Sequence, residues 1–325
     1  MKAAYALIDG EVRLLTPATA GQPLPAEHEA LIHVYARPSA EERDELVAVL
    51  GLDAYDIDAA LDPDEIPRLE TSGSTTCIIW KRPKNVSFDQ QLRFDVASMG
   101  IFLRENMLIL VTAEDEISFA DREFRGLGGL SDLLLKLLLH TVHHYLGHLK
   151  VIKQITTELG GKISVAMENR YYLQMIALSE SLIFYIDGIE ANAAVINKLK
   201  ASAQRLRLSA EQLDALHDIS LDMQQCARQA SIYSEVLSGL MDARGNIINN
   251  NISVLLKNLT LISVIFLPLN LIASIGGMSE YSNWTQGIPP ALAYSGFTLG
   301  MAFLGWLMWV VLRRGIDRYA NGRHR

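Results

Sequence analysis

The chain has 325 residues and a formal net charge of −8, with 50% of residues apolar and 20% charged. That balance argues against nucleic acid as a partner, because phosphate binding needs clustered lysine and arginine. Its two cysteines, Cys77 and Cys226, lie too far apart for a disulfide framework or a zinc ribbon and read as core thiols of a reducing compartment.

The opening run ends at Asp9, too early for a signal peptide, so the bulk of the chain is expected on the side where it is made. Residues 1–128 read as an α/β cytoplasmic domain. Ala30 to Arg37 is an apolar run stopped by Pro38, a predicted strand. Ser39, followed by Glu41 and Glu42, marks a helix start, and Gly51 its stop after Leu50. Cys77–Trp80, Met99–Leu103 and Met107–Thr112 are further predicted strands, with Glu105-Asn106 as a turn. After Gly128-Gly129 three long helices are expected. The first spans about Leu130 to Leu159, ending at Gly160-Gly161, and the second about Ser164 to Gln204. The third starts near Ser209, which forms a capping-box pattern with Gln212. This third helix meets no proline before Pro268, too long for an ordinary globular element. Residues 129–256 are therefore assigned to long helices and 257–325 to a membrane hairpin.

The hairpin rests on two apolar stretches, with spans over about 257–276 and 291–312. Ala291 to Leu312 carries no charge and is long enough to cross a bilayer core. The first span continues an existing helix, and Lys257 can snorkel at its base. The link from Gly276 to Pro290 has no Lys or Arg, whereas Arg313, Arg314, Arg318, Arg323 and Arg325 follow the second span. The positive-inside rule then predicts a multi-pass protein of the inner membrane with both termini cytoplasmic.

The first span carries a polar line. Steps of three and four backward from Asn270 give Leu267, Ser263, Thr260, Leu256, Ser253, Asn249, Asn246 and Asp242; seven of these nine positions are polar, and Ser274 extends the series. This is the period of a left-handed bundle seam, and a polar seam is costly against lipid. Two readings follow. Copies of this helix surround a wet axis, with Leu256 and Leu267 as apolar gating rings and Asp242 as an acidic mouth. Alternatively, the small polar side chains mediate tight helix packing without a lumen. Asn246, Asn249, Asn250 and Asn251 favour the first, since amides suit partly hydrated cations.

Leu256-Lys257-Asn258-Leu259-Thr260, Phe266-Leu267-Pro268-Leu269-Asn270 and Ile275-Gly276-Gly277-Met278 resemble the first-span pattern of the CorA-type metal-ion transporters, a family that includes ZntB-like zinc transporters. The resemblance covers most of the chain. It implies an α+β membrane protein: an α/β front end, long stalk helices and two C-terminal transmembrane helices in a funnel-shaped homopentamer within the lipid membrane. It also implies transport of divalent metal cations, zinc or magnesium and also cobalt or nickel, recognised at a Gly-Met-Asn triplet at the outer mouth. Here the triplet reads Gly277-Met278-Ser279, with a hydroxyl in place of the amide. Glu280 or Asn283 is available to replace the missing oxygen, Glu280 reading either as a ring of carboxylates or as a solvated loop residue. The family's intersubunit carboxylate sites would correspond to Asp218 and Asp222.

His140, His144 and His148 share one face of the first long helix, with His143 beside them. Imidazoles suit zinc, nickel or copper rather than magnesium, so the row reads either as a metal site tilting the ion toward zinc or as a His-rich polar face. No Walker A, dinucleotide or nucleophile-elbow motif is present; neither an enzyme nor a tightly bound cofactor is expected. The metal ions enter as transported or regulatory ions, driven by gradient and membrane potential, worth about 4.6 kcal/mol per 100 mV for a divalent ion. The competing function is a transport-deficient membrane scaffold or metal-sensing regulator, motivated by Ser279.

Overall fold

The computed structural model describes residues 2–15, 30–84, 93–114, 118–163, 169–277 and 283–321. The strands are β1 (Lys2–Ile8), β2 (Glu11–Leu14), β3 (Ala30–Ala36), β4 (Arg68–Ser72), β5 (Thr75–Pro83), β6 (Val96–Arg104) and β7 (Met107–Thr112). The helices are α1 (Ala40–Ala48), α2 (Ala54–Leu61), α3 (Leu130–Ile163), α4 (Asn169–Ala201), α5 (Ala210–Gly276) and α6 (Pro290–Asn321), with a 3-10 turn at Arg122–Phe124. Two compact units result, Met1–Met241 and Asp242–Arg325.

In the first unit the strands form one sheet in the order β2-β1-β3-β7-β6-β5-β4. All neighbours are antiparallel except β3 and β7, which run parallel. Successive side chains alternate between faces, and both faces are buried. Ile78 and Trp80 of β5, Met99 and Ile101 of β6, and Leu108 and Leu110 of β7 join a core with α3, α4 and the first part of α5. Their neighbours Cys77, Ile79, Phe102, Ile109 and Val111 point the other way, against Leu46 of α1 and Ile57 of α2. Both cysteines are free and buried, and burial pushes each thiol up to about 12.

Local rules fix several joints. Ser39 and Glu42 form a reciprocal capping box at α1: the Glu42 N–H donates to Ser39 Oγ at 3.2 Å and the Ser39 N–H to Glu42 Oε2 at 2.9 Å. Gly51 ends that segment with φ +60. Ser209 and Gln212 cap α5 in the same way, at 2.9 and 3.2 Å. β4 pairs β5 only as far as Arg68↔Ile79. Just beyond, Asn192 of α4 takes both backbone groups of Lys81: its Oδ1 accepts from the Lys81 N–H at 2.9 Å and its amide donates to the Lys81 carbonyl at 2.7 Å. A buried side-chain amide thus completes the ladder where the edge strand stops. α2 lies so close to β6 that a Cβ on Gly100 would stand 2.5 Å from Ala60 Cβ.

Some predicted boundaries shift. Gly160 and Gly161 do not end α3, which continues to Ile163; a Cβ on Gly160 would meet the Leu240 methyls at 3.5 Å, so this glycine marks a helix–helix contact. α4 occupies Asn169–Ala201, inside the range expected for the second helix. The sequence reading lacks β1, β2 and β4.

In the second unit, α5 and α6 both contain windows long and apolar enough to cross a membrane, and none of either window is buried by the chain. A soluble core helix of that composition would be covered. Leu259, Phe266 and Leu271 on α5 and Leu299, Phe303 and Val311 on α6 stand exposed, as lipid-facing side chains do. Trp306 and Trp309 lie toward the arginine end of α6, where the Arg313 guanidinium sits 5.1 Å from the Trp309 ring centre. This is the arrangement of an aromatic belt beside a basic flank.

Candidate permeation site

α5 carries the polar series on one unbroken helix, across Pro268. Proline has no N–H, so one carbonyl a turn earlier is left without its helical donor. From Asp242 onward the half-buried α5 residues are Asn251, Leu261, Ile265, Pro268, Leu269 and Ile272, and a Cβ on Gly305 of α6 would meet Leu269 Cδ1 at 3.3 Å. None of these belongs to the polar series. Asp242, Asn246, Asn249, Ser253, Leu256, Thr260, Ser263, Leu267, Asn270 and Ser274 are all exposed. The chain's own packing therefore leaves the whole seam uncovered. Ser263, Leu267 and Asn270 also line a groove of about 570 Å³ with Phe266, Ala273 and Met301 of α6.

Two hydroxyls of the seam are oriented. Ser253 Oγ donates to the Asn249 carbonyl and Thr260 Oγ1 to the Leu256 carbonyl, each at 2.8 Å. With the proton spent on the backbone, the oxygen lone pairs are left as acceptors. Amide, hydroxyl and carboxylate oxygens, with no Cys or His among them, make a hard donor set. α5 ends at Gly276, and the Gly277 N–H donates to the carbonyls of Ala273 and Ser274 at 3.1 and 3.2 Å. Met278, Ser279 and Glu280 lie outside the described residues. Asn283 Oδ1 accepts from Gln286 Nε2 at 2.7 Å.

A model of the CorA-like Mg2+ transporter protein family matches residues 31–314. The chain belongs to the CorA-like Mg2+ transporter family. The chain is 25% identical over 277 residues to the cobalt/magnesium transport protein CorA of Methanocaldococcus jannaschii, covering 82% of this chain and 84% of that protein. The complete structure of the CorA magnesium transporter from the same organism superposes with a TM-score of 0.75 at 20% identity, over 97% of this chain and 98% of that one. The ZntB cytoplasmic domain from Vibrio parahaemolyticus superposes with a TM-score of 0.60 at 15% identity, over 76% of this chain and 98% of that one. As a CorA-like chain the protein is a membrane ion transporter rather than an enzyme.

The four histidines on α3 of this CorA-like chain divide into two pairs. His140 and His143 turn to Glu123, with Nδ1–carboxylate distances of 3.2 and 2.7 Å. Partial burial pushes the Glu123 carboxyl up, but the hydrogen bonds to His143 and His140 outweigh it and hold it below its ordinary range. His144 and His148 meet edge to face at 4.4 Å between ring centres, and His148 Nδ1 lies 2.6 Å from the Tyr185 hydroxyl. Burial, then the proximity of His148, His140 and Arg82, lowers His144 to about 4, and burial lowers His148. Both rings are therefore neutral at pH 7. Asp218 is exposed and Asp222 half-buried on one flank of α5. Among the described residues no three His, Cys, Asp or Glu side chains converge as a metal cage. The sequence pattern could not reveal Glu123, which lies 17 residues before His140 and reaches it through the 3-10 turn.

Proposed function

We propose that this chain conducts divalent cations, magnesium first and cobalt next, through a pore lined by the α5 seams of several copies, five by family resemblance. The carrying observation is that every seam position is exposed, while the half-buried α5 positions beside it are all off the seam. A row of amides and hydroxyls cannot face lipid without cost, so its natural surroundings are other copies of α5 and water. The oxygen-only donor set favours a hard, partly hydrated ion. That tips the choice from zinc to magnesium, since the imidazoles that favour zinc lie off the seam and hold Glu123 and Tyr185 instead. Leu256 and Leu267 then act as apolar rings that dewet the closed path. Asp242 concentrates cations at the cytoplasmic mouth, and Gly277, Met278 and Ser279 form the outer mouth with Glu280 beside them. The arginines at and beyond the C-terminal end of α6 and the absence of Lys and Arg from residues 277–289 support a reading with both termini on the cytoplasmic side of the inner membrane.

The test is metal uptake by purified protein in liposomes, with separate reporters for magnesium, cobalt and zinc against protein-free vesicles. Magnesium flux is expected. Asn270→Leu should lower it by about tenfold, a barrier change of about 1.4 kcal/mol, and Leu267→Asp should raise resting leak, both with the oligomer intact. Flux that ignores both substitutions would remove the seam as the path. No flux of any of the three ions from folded oligomers would favour the scaffold or sensor reading that Ser279 motivates.

A further inference from the structure

The turn before α3 brings two carboxylates against two imidazoles. Asp121 and Glu123 stand two residues apart at the 3-10 turn, and Phe124 next to them is 1% exposed. The turn is thus anchored in the core while its acids stay outside. Its own bond, from the Phe124 N–H to the Asp121 carbonyl at 3.1 Å, fixes their spacing. On α3, His140 and His143 are three residues apart and so are neighbours on the helix surface. The His140 ring also rests on Phe124, with 5.4 Å between ring centres. Turn, helix and core contact together bring four metal-ligating side chains to one place.

Their donor atoms face one another. His143 Nδ1 lies 2.7 Å from Glu123 Oε1, and His140 Nδ1 lies 3.2 Å from Glu123 Oε2 and 3.9 Å from Asp121 Oδ2. Ligands held about 2.1 Å from a tetrahedral ion stand about 3.4 Å from each other, and these three distances bracket that spacing. The group is not a closed cage, because the two imidazoles use opposite oxygens of one carboxylate. Closing it takes rotation of side chains only, and side chains that are 33% to 62% exposed are free to rotate. The same exposure gives an ion a way in. A single surface His–Glu pair is ordinary; two imidazoles turned to one carboxylate, with a second carboxylate beside them, are the makings of a chelate.

We propose that Asp121, Glu123, His140 and His143 bind one transition-metal ion of the zinc class. The two carboxylates match the charge of a divalent ion, and the mixed nitrogen and oxygen donors suit zinc better than magnesium. The bound ion fastens the turn to α3. His144 and His148 are not ligands of this ion, since they pack on each other and His148 meets Tyr185. The site lies in the first unit, apart from the oxygen-only seam, and does not depend on the transport reading.

The experiment is titration of the chelator-stripped full-length protein in detergent with zinc chloride, against a fluorescent zinc indicator, at neutral pH and in excess magnesium. Saturable binding tighter than about 100 μM is expected. The double variant His140→Gln His143→Gln should weaken it at least about tenfold, and Glu123→Gln about tenfold. His217→Gln, on α5 away from the turn, should leave it unchanged. X-ray absorption at the zinc edge, on protein loaded with one equivalent, should show imidazole ligands that disappear in the double variant; a merely structural role of the histidines would not produce that signature. No zinc binding of that strength, binding untouched by the double variant and by Glu123→Gln, or binding lost in His217→Gln alone would overturn the proposal.

Discussion

α5 uses one period for two different purposes along its length. In its first part Leu216, Ile219, Met223, Cys226, Ala230 and Leu237 recur in steps of three, four and seven, and all are buried against the chain's own helices. From Asp242 onward the same alternation is mostly polar, and every member is exposed. The first stripe is satisfied within one chain, and its energetics are those of a globular core. The second is not satisfied within one chain, and its energetics belong to an assembly and to the ions inside it. Identical spacing therefore says that a helix has a facing surface, but not whether that surface faces its own domain, a second copy or water.

Substitutions on the two stripes should separate stability from flux. Met223→Ala removes a fully buried side chain and should cost about 2–5 kcal/mol, read as a lowered unfolding temperature of the detergent-solubilised protein. Leu256→Ala, in the second stripe and exposed, should move that temperature little, within about 0.5 kcal/mol, while widening an apolar ring and raising ion leak. Equal thermal effects would mean that Leu256 is packed as tightly as Met223, and would break the comparison.

The next effects sharpen the description of the first unit. Asn192→Leu leaves the Lys81 N–H and carbonyl without partners inside the core, at a cost of about 2–4 kcal/mol in the same unfolding assay. Gly100→Ala would press a methyl against Ala60 and should cost about 1–3 kcal/mol by overpacking, offset if Ala60→Gly is introduced with it. Failure of that rescue would assign the crowding at position 100 to the Phe102 ring, whose Cε2 would stand 2.9 Å from the new methyl, rather than to α2.

The same contrast explains what was legible in the sequence. Met107–Thr112 is a continuous apolar run because β7 is buried on both faces, and its observed bounds match the expected ones. β3, β5 and β6 are likewise signalled by their buried centres. β2 and β4 give little signal: they are edge strands, and Glu11-Val12-Arg13-Leu14 and Arg68-Leu69-Glu70-Thr71-Ser72 contain no fully buried residue. An edge is defined by its partner, not by its own pattern. β1 hides for another reason, since its apolar run at the start of the chain can be weighed as a leader. The seam is legible because it is periodic within one helix. The pairing of His140 and His143 with Glu123 is not, because it depends on a turn that carries a carboxylate back to α3.

The smallest effect concerns His144 and His148. Both titrate below the ordinary value of 6.5 in the folded state, His144 at about 4, because burial disfavours the charged ring. An unfolded chain therefore binds protons on these residues before the folded chain does. The sign follows from linkage: their contribution to stability is complete above pH 6.5 and is lost as pH falls toward about 4. The groups facing them are Tyr185, which contacts His148, and Arg82 and His140, which act on His144. Among the described residues none of these is a carboxylate able to stabilise an imidazolium. His144 is only partly shielded from solvent, which keeps its share small. Carboxylates elsewhere also titrate in this range, so the informative quantity is a difference of slopes. Between pH 7 and pH 4.5 the unfolding temperature of the unmodified protein should fall more than that of His144→Gln His148→Gln. If the two slopes coincide, burial does not lower the proton affinity of the pair in the folded protein.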